Sequence, residues 1–370
     1  MKSFRIDIAG KKPEQTKVMV AMSGGVDSSV VAAYLHHLGY QVIGVTLQLY
    51  YSEQKSFKKT CCAGQDIFDA KKVAAQFGFA HYVIDMQKTF EKEVMEEFAD
   101  SYLKGQTPVP CIKCNQTVKF RDLFKIAKDL NVDALATGHY VKRVEKNNEV
   151  ELHRGFDTTK DQSYFLFATT MDQLRFLRFP LGNLTKEQTR KLATDLKIAV
   201  YDKPESQDIC FVKSKSYVDV INKLRPQSYQ QGNIVYLDGK VLGVHNGIVH
   251  YTVGQRHGLN ISYHHPLYVI KIDRRSNTVT VGPKSSLEQN SLYIKEINWL
   301  DKSDILDGMS VSAKLRSGAN PVDATLYKSD DFVKVQLLHT ANCAIAPGQA
   351  CVLYKGSRVL GGGWITDKTD

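Results

Sequence analysis

The apolar, β-like segment Val18–Ala21 runs without a break into Met22-Ser-Gly-Gly-Val-Asp-Ser-Ser29 and then into the apolar helical run Val30–Leu35. Two adjacent glycines free the backbone to curl, and serine is a residue that opens helices. A strand, a glycine turn and a helix start in that order make a cradle of exposed N–H groups at the positive end of a helix dipole, a place suited to an anion. The loop is not a Walker A sequence, because no Gly-Lys-Ser/Thr ends it. A serine-capped helix after a glycine turn is the plainer reading of the same residues.

The pattern around this junction repeats through residues 17–140. Val18–Met22, Val42–Leu49, Tyr82–Asp85 and Ala134–Thr137 have the length and apolar character of buried strands. Helical patterns lie between them: Ser28–Leu38 before Gly39, Asp66–Phe77 before Gly78, Phe90–Leu103 before Gly105, and Thr117–Leu130. Glycine just past a helical run is a stop signal. Such alternation predicts an α/β fold with a doubly wound parallel sheet, whose ligands sit at the carboxyl ends of the strands. The glycine loop lies at such an end.

Past residue 140 the period changes. Val141–His153 is predicted to form a hairpin about Asn147-Asn148, Lys160–Phe167 a short helix, and Thr185–Leu196 a helix opened by a Thr-x-x-Gln capping pattern. From about residue 230 alternation dominates. Asp238-Gly239 and Arg275-Ser-Asn277 turn the hairpins Gly232–Leu242 and Leu267–Gly282, and Val311–Leu315 and Phe332–Leu337 read as further strands. The expected architecture is a catalytic α/β domain over 1–215, a small β-rich domain over 216–284 and a C-terminal β-barrel over 285–370.

The 370 residues are 43% hydrophobic and carry a formal charge of +10, which permits more than one core and favours a polyanionic partner. No apolar run approaches the roughly 18 residues of a membrane span. The N-terminus Met1-Lys-Ser-Phe-Arg-Ile-Asp is too polar for a secretory h-region, so an intracellular, cytoplasmic protein is expected. Seven cysteines in that setting point to redox chemistry or metal ligation more than to scaffold disulfides.

Cys111-Ile-Lys-Cys114 follows the stiff Thr107-Pro-Val-Pro110 and precedes a helix expected to begin after Cys114. A thiol at a helix N-terminus near Lys113 and Lys119 is expected to ionise more easily. Half of a zinc site and a thioredoxin-like pair are the alternatives, and no second Cys-x-x-Cys completes the former. Cys210 ends the polar run Lys203-Pro-Glu-Ser-Gln-Asp-Ile209 at what reads as the start of a strand, as a site loop would; a core cysteine is the other reading. Cys61 and Cys62 are adjacent and would point apart in an extended segment, while Cys343 and Cys351 read as core fillers.

The Ser-Gly-Gly-Val-Asp-Ser order resembles the PP-loop of ATP pyrophosphatases, which split ATP into AMP and pyrophosphate while adenylating a substrate. Together with Pro110-Cys-Ile-Lys-Cys-Asn115 and Pro204-Glu-Ser-Gln-Asp-Ile-Cys-Phe-Val212, the chain resembles the tRNA-specific 2-thiouridylase (MnmA) family within that superfamily. Thr137-Gly-His-Tyr140, Lys160-Asp-Gln-Ser-Tyr164, Tyr251-Thr-Val-Gly-Gln-Arg-His-Gly258, Pro347-Gly-Gln349 and Leu360-Gly-Gly-Gly363 extend the resemblance over the whole chain.

The resemblance implies a sulfurtransferase that replaces the C2 oxygen of uridine 34 in the tRNAs for Lys, Glu and Gln. It implies ATP held by Ala21, Met22, Ser23, Gly24, Gly25, Val26, Asp27 and Ser28, with Leu47 and Gly138 on the adenosine side and Asp27 near Mg²⁺. Cys210 matches the persulfide position, loaded by a cysteine desulfurase or a relay protein, and Cys114 matches the second cysteine, which leaves a Cys114–Cys210 disulfide. Val109, Pro110, Cys111 and His139 match positions at the target base; Lys160, Asp161, Gln162, Arg316, Ser317 and Gln349 match other tRNA contacts. Many members carry aspartate at the position of Cys111, and most carry an aromatic residue where Ser317 stands. In related Cys-x-x-Cys members the alternative is a four-iron, four-sulfur cluster held by Cys111, Cys114 and Cys210. An ATP-dependent amidating synthetase and a tRNA-binding protein with an inactive nucleotide site are the competing functions.

Overall fold

The computed structural model describes Ile6, Ile8 and residues 10–50, 64–146, 149–205, 208–212, 216–226, 229–300, 307–329, 331–341 and 343–367. Cys61 and Cys62 lie outside the described residues. The chain forms two compact units: residues 1–94, 111–213 and 357–359 make one, and residues 95–110, 214–356 and 360–370 the other.

The first unit contains the parallel sheet. Its strands β1 (Lys17–Ala21), β2 (Gln41–Gln48), β3 (Ala80–Asp85) and β4 (Ala134–Ala136) are the four apolar runs of the sequence. The antiparallel hairpin of β5 (Val141–Lys146) and β6 (Glu149–Arg154) follows, and then the two-residue β7 (Leu177–Arg178), which adds to the sheet as an unforeseen fifth strand. The order is β3-β2-β1-β4-β7, so β1 is central and its carboxyl end opens between β2 and β4. That reversal of strand order on either side of β1 creates the crevice in which open α/β sheets bind ligands.

Helix α1 (Val26–His37) leaves that crevice. Val30, Val31, Ala32, Ala33, Tyr34 and Leu35 are all buried, and a helix apolar all round belongs inside a layered core. Burying a side chain such as Leu35 stabilises the unit by about 1.5–3 kcal/mol. Helix α2 (Gln65–Phe77) ends at Gly78, in the left-handed conformation that the stop signal predicts. The next helical run comprises α3 (Gln87–Phe90), a π-helical stretch Glu91–Met95 and α4 (Glu96–Leu103). A second comprises α5 (Pro110–Cys114), a π-helical stretch Asn115–Asp122 and α6 (Leu123–Asp129). That helix therefore begins ahead of Cys114, at a proline whose fixed φ suits a first turn. The predicted helix at 160–167 shrinks to one 3₁₀ turn, Ser163–Leu166, and α7 (Met171–Phe176) follows it.

Helix α8 (Lys186–Asp195) starts with the expected capping box. Thr185 Oγ1 accepts from the Gln188 amide at 3.2 Å, and Gln188 Oε1 accepts from the Thr185 amide at 2.9 Å.

In the second unit α9 (Val218–Leu224) packs on α4, with Tyr102 stacked on Tyr217 at 4.4 Å and Arg225 bonded to Asp100 and Glu96. A four-stranded sheet follows, made of β8 (Gly232–Tyr236), β9 (Val241–His245), β10 (Tyr268–Asp273) and β11 (Thr278–Gly282), ordered β10-β11-β8-β9. Both predicted hairpin turns are present, with Gly239 and Asn277 at positive φ. The last six strands are β12 (Ser291–Trp299), β13 (Ser310–Lys314), β14 (Val322–Lys328), β15 (Val333–Leu337), β16 (Ala350–Lys355) and β17 (Arg358–Thr366). They run β12-β15-β14-β13-β16-β17, and β17 pairs back to β12, which closes a barrel. Cys351 is fully buried in its core and Cys343 packs at the core's edge. Among the described residues no helix is long and apolar enough to cross a membrane.

Removing the cap by Thr185→Ala should lower the opening free energy of the Gln188 amide by about 1 kcal/mol in native-state hydrogen exchange. Unchanged exchange there would show that the box does not hold the first turn of α8.

Candidate active site

The glycine loop bridges β1 and α1, and its shape is set by close approach. Gly24 is buried with φ +72°, and a Cβ on it would lie 2.2 Å from the Asp66 carbonyl oxygen. Gly138, just past β4, is equally constrained, because a Cβ there would stand 2.9 Å from the Ser28 nitrogen. Met22 N–H still donates to Val45 O at 2.8 Å, which prolongs the β1–β2 ladder by one residue. Ser28 Oγ accepts from the Ser23 amide at 3.1 Å, and Ser29 Oγ donates to Gly25 O at 2.8 Å. Both serines turn inward to hold the loop, and neither caps the helix. The N-cap is Gly25, so the leading amides of α1 have no side-chain acceptor and form a positive pole suited to phosphate. Leu47 stands half-buried near the carboxyl end of β2.

Lysines flank this pole. Lys186, the first residue of α8, places Nζ 2.7 and 2.8 Å from the two carboxylate oxygens of Asp27 and 3.3 Å from Glu205. Tyr140 Oη also donates to Asp27, at 2.8 Å, and burial together with that carboxylate pushes its phenol far above the usual range. Lys160 Nζ bonds Glu205 at 2.8 Å; the Lys160 bond, with Lys186 alongside, outweighs partial burial and holds the Glu205 carboxyl below its ordinary range. Lys203 bonds Asp66, Asp69 and the carbonyl of Gly24.

Cys111 and Cys114 lie one helical turn apart, Cys111 exposed and Cys114 buried. The expectation of an acidic Cys114 is overturned. With the helix starting at Pro110, Cys114 sits inside it, and desolvation pushes its thiol up against the smaller opposing influence of Lys119. Cys111 keeps a surface in contact with water, yet the protein packed around its thiol also pushes it up, against the opposing influence of Lys119. Cys210 lies on a turn closed by Val212 N–H to Ile209 O, not at a strand start, and its carbonyl accepts from Tyr50 Oη at 2.8 Å. Phe211 beside it packs edge-on against Phe90. Among the described residues there is no disulfide, and no three His, Cys, Asp or Glu side chains are placed to hold a metal ion. Cys111, Cys114 and Cys210 therefore do not fit an iron–sulfur cluster in this arrangement.

The remaining predicted contacts divide between the units. In the first unit burial, with Lys119 nearby, pushes the His139 imidazole down to about 3, so the ring is neutral; Thr137 Oγ1 lies 2.9 Å from its Nδ1. Asp161 accepts from the amides of Gly155 and Ser163, and Gln162 Oε1 accepts from the Tyr140 amide, so both shape the backbone beside the loop. In the second unit Arg316, Ser317 and Gln349 line a cavity of about 530 Å³ with Thr107 and Cys343. Arg316 Nη2 donates to Val253 O while its Nε is buried without a hydrogen-bond partner, and Gln349 Nε2 donates to Thr107 O at 2.9 Å. Val109 and Pro110 belong to this second unit.

Three family models match in succession: a tRNA methyl transferase HUP domain over residues 16–214, a tRNA methyl transferase PRC-barrel domain over 218–283 and an aminomethyltransferase beta-barrel domain over 289–365. The tRNA-specific 2-thiouridylase MnmA of Neorickettsia sennetsu is 63% identical over 97% of this chain and 97% of its own length. The chain belongs to the tRNA-specific 2-thiouridylase family. The enzyme of the same name from the Wolbachia of Culex pipiens is 55% identical over 99% of both chains. A solved 4-thiouridine synthetase–RNA complex with bound ATP aligns over 56% of this chain and 49% of its own at 18% identity and a TM-score of 0.37, too low to build on. Members of the 2-thiouridylase family are tRNA sulfurtransferases.

Sequence reading missed Tyr140, Lys186, Lys203 and Glu205, the charged and polar partners of this family member's loop. Lys186 stands where a capped helix begins and reads as solvated charge. The local signals are the Thr137–Tyr140 motif for Tyr140 and the polar run before Cys210 for Lys203 and Glu205.

With no nucleotide or RNA present, Cys114 is expected to react with iodoacetamide at about neutral pH at least tenfold more slowly than an ordinary exposed thiol, the rate rising above the usual thiol range. Peptide mass spectrometry reads both cysteines of the pair. Equal labelling of Cys114 in native and denatured protein would contradict its burial.

Proposed function

We propose that the protein converts uridine 34 of tRNA to 2-thiouridine at the expense of ATP, with tRNAs for Lys, Glu and Gln as substrates and the cytoplasm as its compartment. The observation that carries the reading is the uncapped, lysine-flanked glycine loop in one compact unit with Cys114 and Cys210. The relatives are named for thiolation, and this outweighs the methyl transfer in the description of the matching domain model. The proposed division is a catalytic domain over 1–215, a central domain over 216–284 and a barrel over 285–370.

A uridine carbonyl oxygen is a poor leaving group. In the first step it attacks the α-phosphorus of ATP, pyrophosphate leaves, and C2 carries an O–AMP group. Residues 21–28 bind the triphosphate through their amides, with Leu47 and Gly138 beside the adenosine. Asp27 is the loop's only carboxylate and would face Mg²⁺ arriving with the nucleotide, where the ion neutralises phosphate charge.

In the second step a persulfide on Cys210, loaded by a cysteine desulfurase or a relay protein, supplies sulfur. The Cys114 thiolate attacks Sγ of Cys210, the S–S bond breaks, and the terminal sulfur takes the electron pair to C2. AMP departs with the C–O pair, and the Cys114–Cys210 disulfide that remains is reduced by an external thiol. Cys114 must lose its proton for this, a step that burial of the thiol opposes and Lys119 favours. A neutral His139 is a hydrogen-bonding partner for an extruded base, alongside Val109, Pro110 and Cys111. Lys160, Asp161, Gln162, Arg316, Ser317 and Gln349 are the proposed contacts to the rest of the RNA.

Cys114→Ala and Cys210→Ala should each reduce thiolation about a thousandfold or more and leave tRNA-dependent pyrophosphate release intact. Thiolation surviving both changes would overturn the cysteine relay, because sulfur would then reach C2 without either thiol. Pyrophosphate release that tRNA does not stimulate would overturn the adenylation step.

A further inference from the structure

Lys203 stands a few residues before Cys210, and its ammonium reaches the glycine loop. Nζ donates to Asp66 Oδ1 and Asp69 Oδ2, each at 2.5 Å, and to the Gly24 carbonyl at 3.0 Å. Asp66 and Asp69 are buried, Asp66 on the first turn of α2 and Asp69 one turn further along, and the backbone oxygen of Asp66 is the atom that Gly24 packs against. Gln65 Nε2 occupies the other oxygen of Asp69 at 2.7 Å. Burial works against the ammonium, and the bonds to Asp66 and Asp69 outweigh it, so Lys203 stays charged.

The contact with Gly24 has a geometric consequence. A trans peptide is planar, with its C=O and N–H pointing in opposite directions. Fixing the Gly24 carbonyl towards Lys203 therefore aims the Gly25 N–H away from Lys203, as one of the amides available to an anion. The same stretch of chain meets the loop a second time, because Glu205 binds Lys186 and Lys186 holds Asp27. An anion drawing on the Gly25 amide pulls on the peptide whose other side is bonded to the Lys203-Pro-Glu205 stretch.

We propose that Lys203 is a positioning residue, which orients the Gly24–Gly25 peptide for ATP and so couples nucleotide occupancy of the loop to the segment that carries Cys210. The inference rests on the reading of the loop as an ATP site.

The test uses the full chain and its Lys203→Gln and Lys203→Arg variants. ATP binding is measured by calorimetry, and the rate of Cys210 alkylation by iodoacetamide is measured by peptide mass spectrometry with and without ATP. In the parent protein ATP should change the Cys210 rate about fivefold or more. Lys203→Gln should remove that response and weaken ATP about tenfold, while Lys203→Arg, which keeps a charged donor, should restore most of both. A Lys203→Gln protein with the full ATP response overturns the inference, as does a parent protein that binds ATP with no change at Cys210. A parent protein that binds no ATP overturns the ATP reading and the inference with it. If circular dichroism shows Lys203→Gln unfolded, Asp69→Asn replaces it; a reduced response is expected, and an unreduced one overturns the inference.

Discussion

The ammonium of Lys203 lies between two carboxylates at the start of α2 and the carbonyl of Gly24, and the shape of the loop between β1 and α1 depends on it. Gly24 comes so close to the Asp66 backbone that no side chain fits, and what keeps that approach stable is charge. Without the ammonium, two carboxylates, 7% and 12% exposed, would face each other on one turn. Breaking a wholly buried pair costs about 3–5 kcal/mol, and the cost here is smaller because Lys203 keeps some contact with water. The loop is thus an ordered cradle whose backbone N–H groups are set before any ligand arrives, which lowers the entropy that binding must overcome.

The second charged group works in the opposite sense. Asp27 places a negative charge in the first turn of α1, which suits the helix dipole and opposes a polyphosphate. Lys186 and Tyr140 offset it through three hydrogen bonds. A phosphate near the loop meets an ion pair instead of a bare carboxylate, and the ammonium of that pair can turn towards it at little cost in charge. The capping box at Thr185 matters to this chemistry because it fixes the first turn of α8, where Lys186 sits.

Much of the fold was legible in the residues. The four apolar runs, the glycine stops at Gly39 and Gly78, the Thr-x-x-Gln box and both turns of the central sheet are local signals, and local signals survive folding. The two-residue β7 was not legible, because pairing with β4 makes it a strand and its own composition does not. The start of the Cys111–Cys114 helix was misread for a related reason. Pro110 stiffens the chain after Thr107, but a proline with nothing helical before it serves equally well as a first helical position. Of the site, the loop and the cysteines were visible as motifs. Tyr140, Lys203 and Glu205 lie inside sequence motifs but their roles, like that of Lys186, are not legible there, since each acts through a partner distant in sequence.

Misplacing that helix start reverses the chemistry expected of Cys114. A cysteine ahead of a helix is drawn towards thiolate by the dipole; one inside the helix and buried loses hydration first, and desolvation wins over a single lysine. In the proposed persulfide relay this difference matters. Under that proposal a permanently ionised Cys114 would attack a loaded Cys210 in the absence of RNA and waste the sulfur as sulfide. A thiol held protonated by burial is a poor nucleophile. Directly after Cys114 the backbone passes into the π-helical stretch Asn115–Asp122, a rare form that is frequent at functional sites. Asn115 Nδ2 ties that stretch to Phe165 O at 3.1 Å, within the turn that follows Lys160, Asp161 and Gln162. That bond ties the helix carrying Cys114 to the segment that also holds the Gly155 and Tyr140 amides through Asp161 and Gln162, so the thiol and the backbone beside the glycine loop belong to one hydrogen-bonded framework.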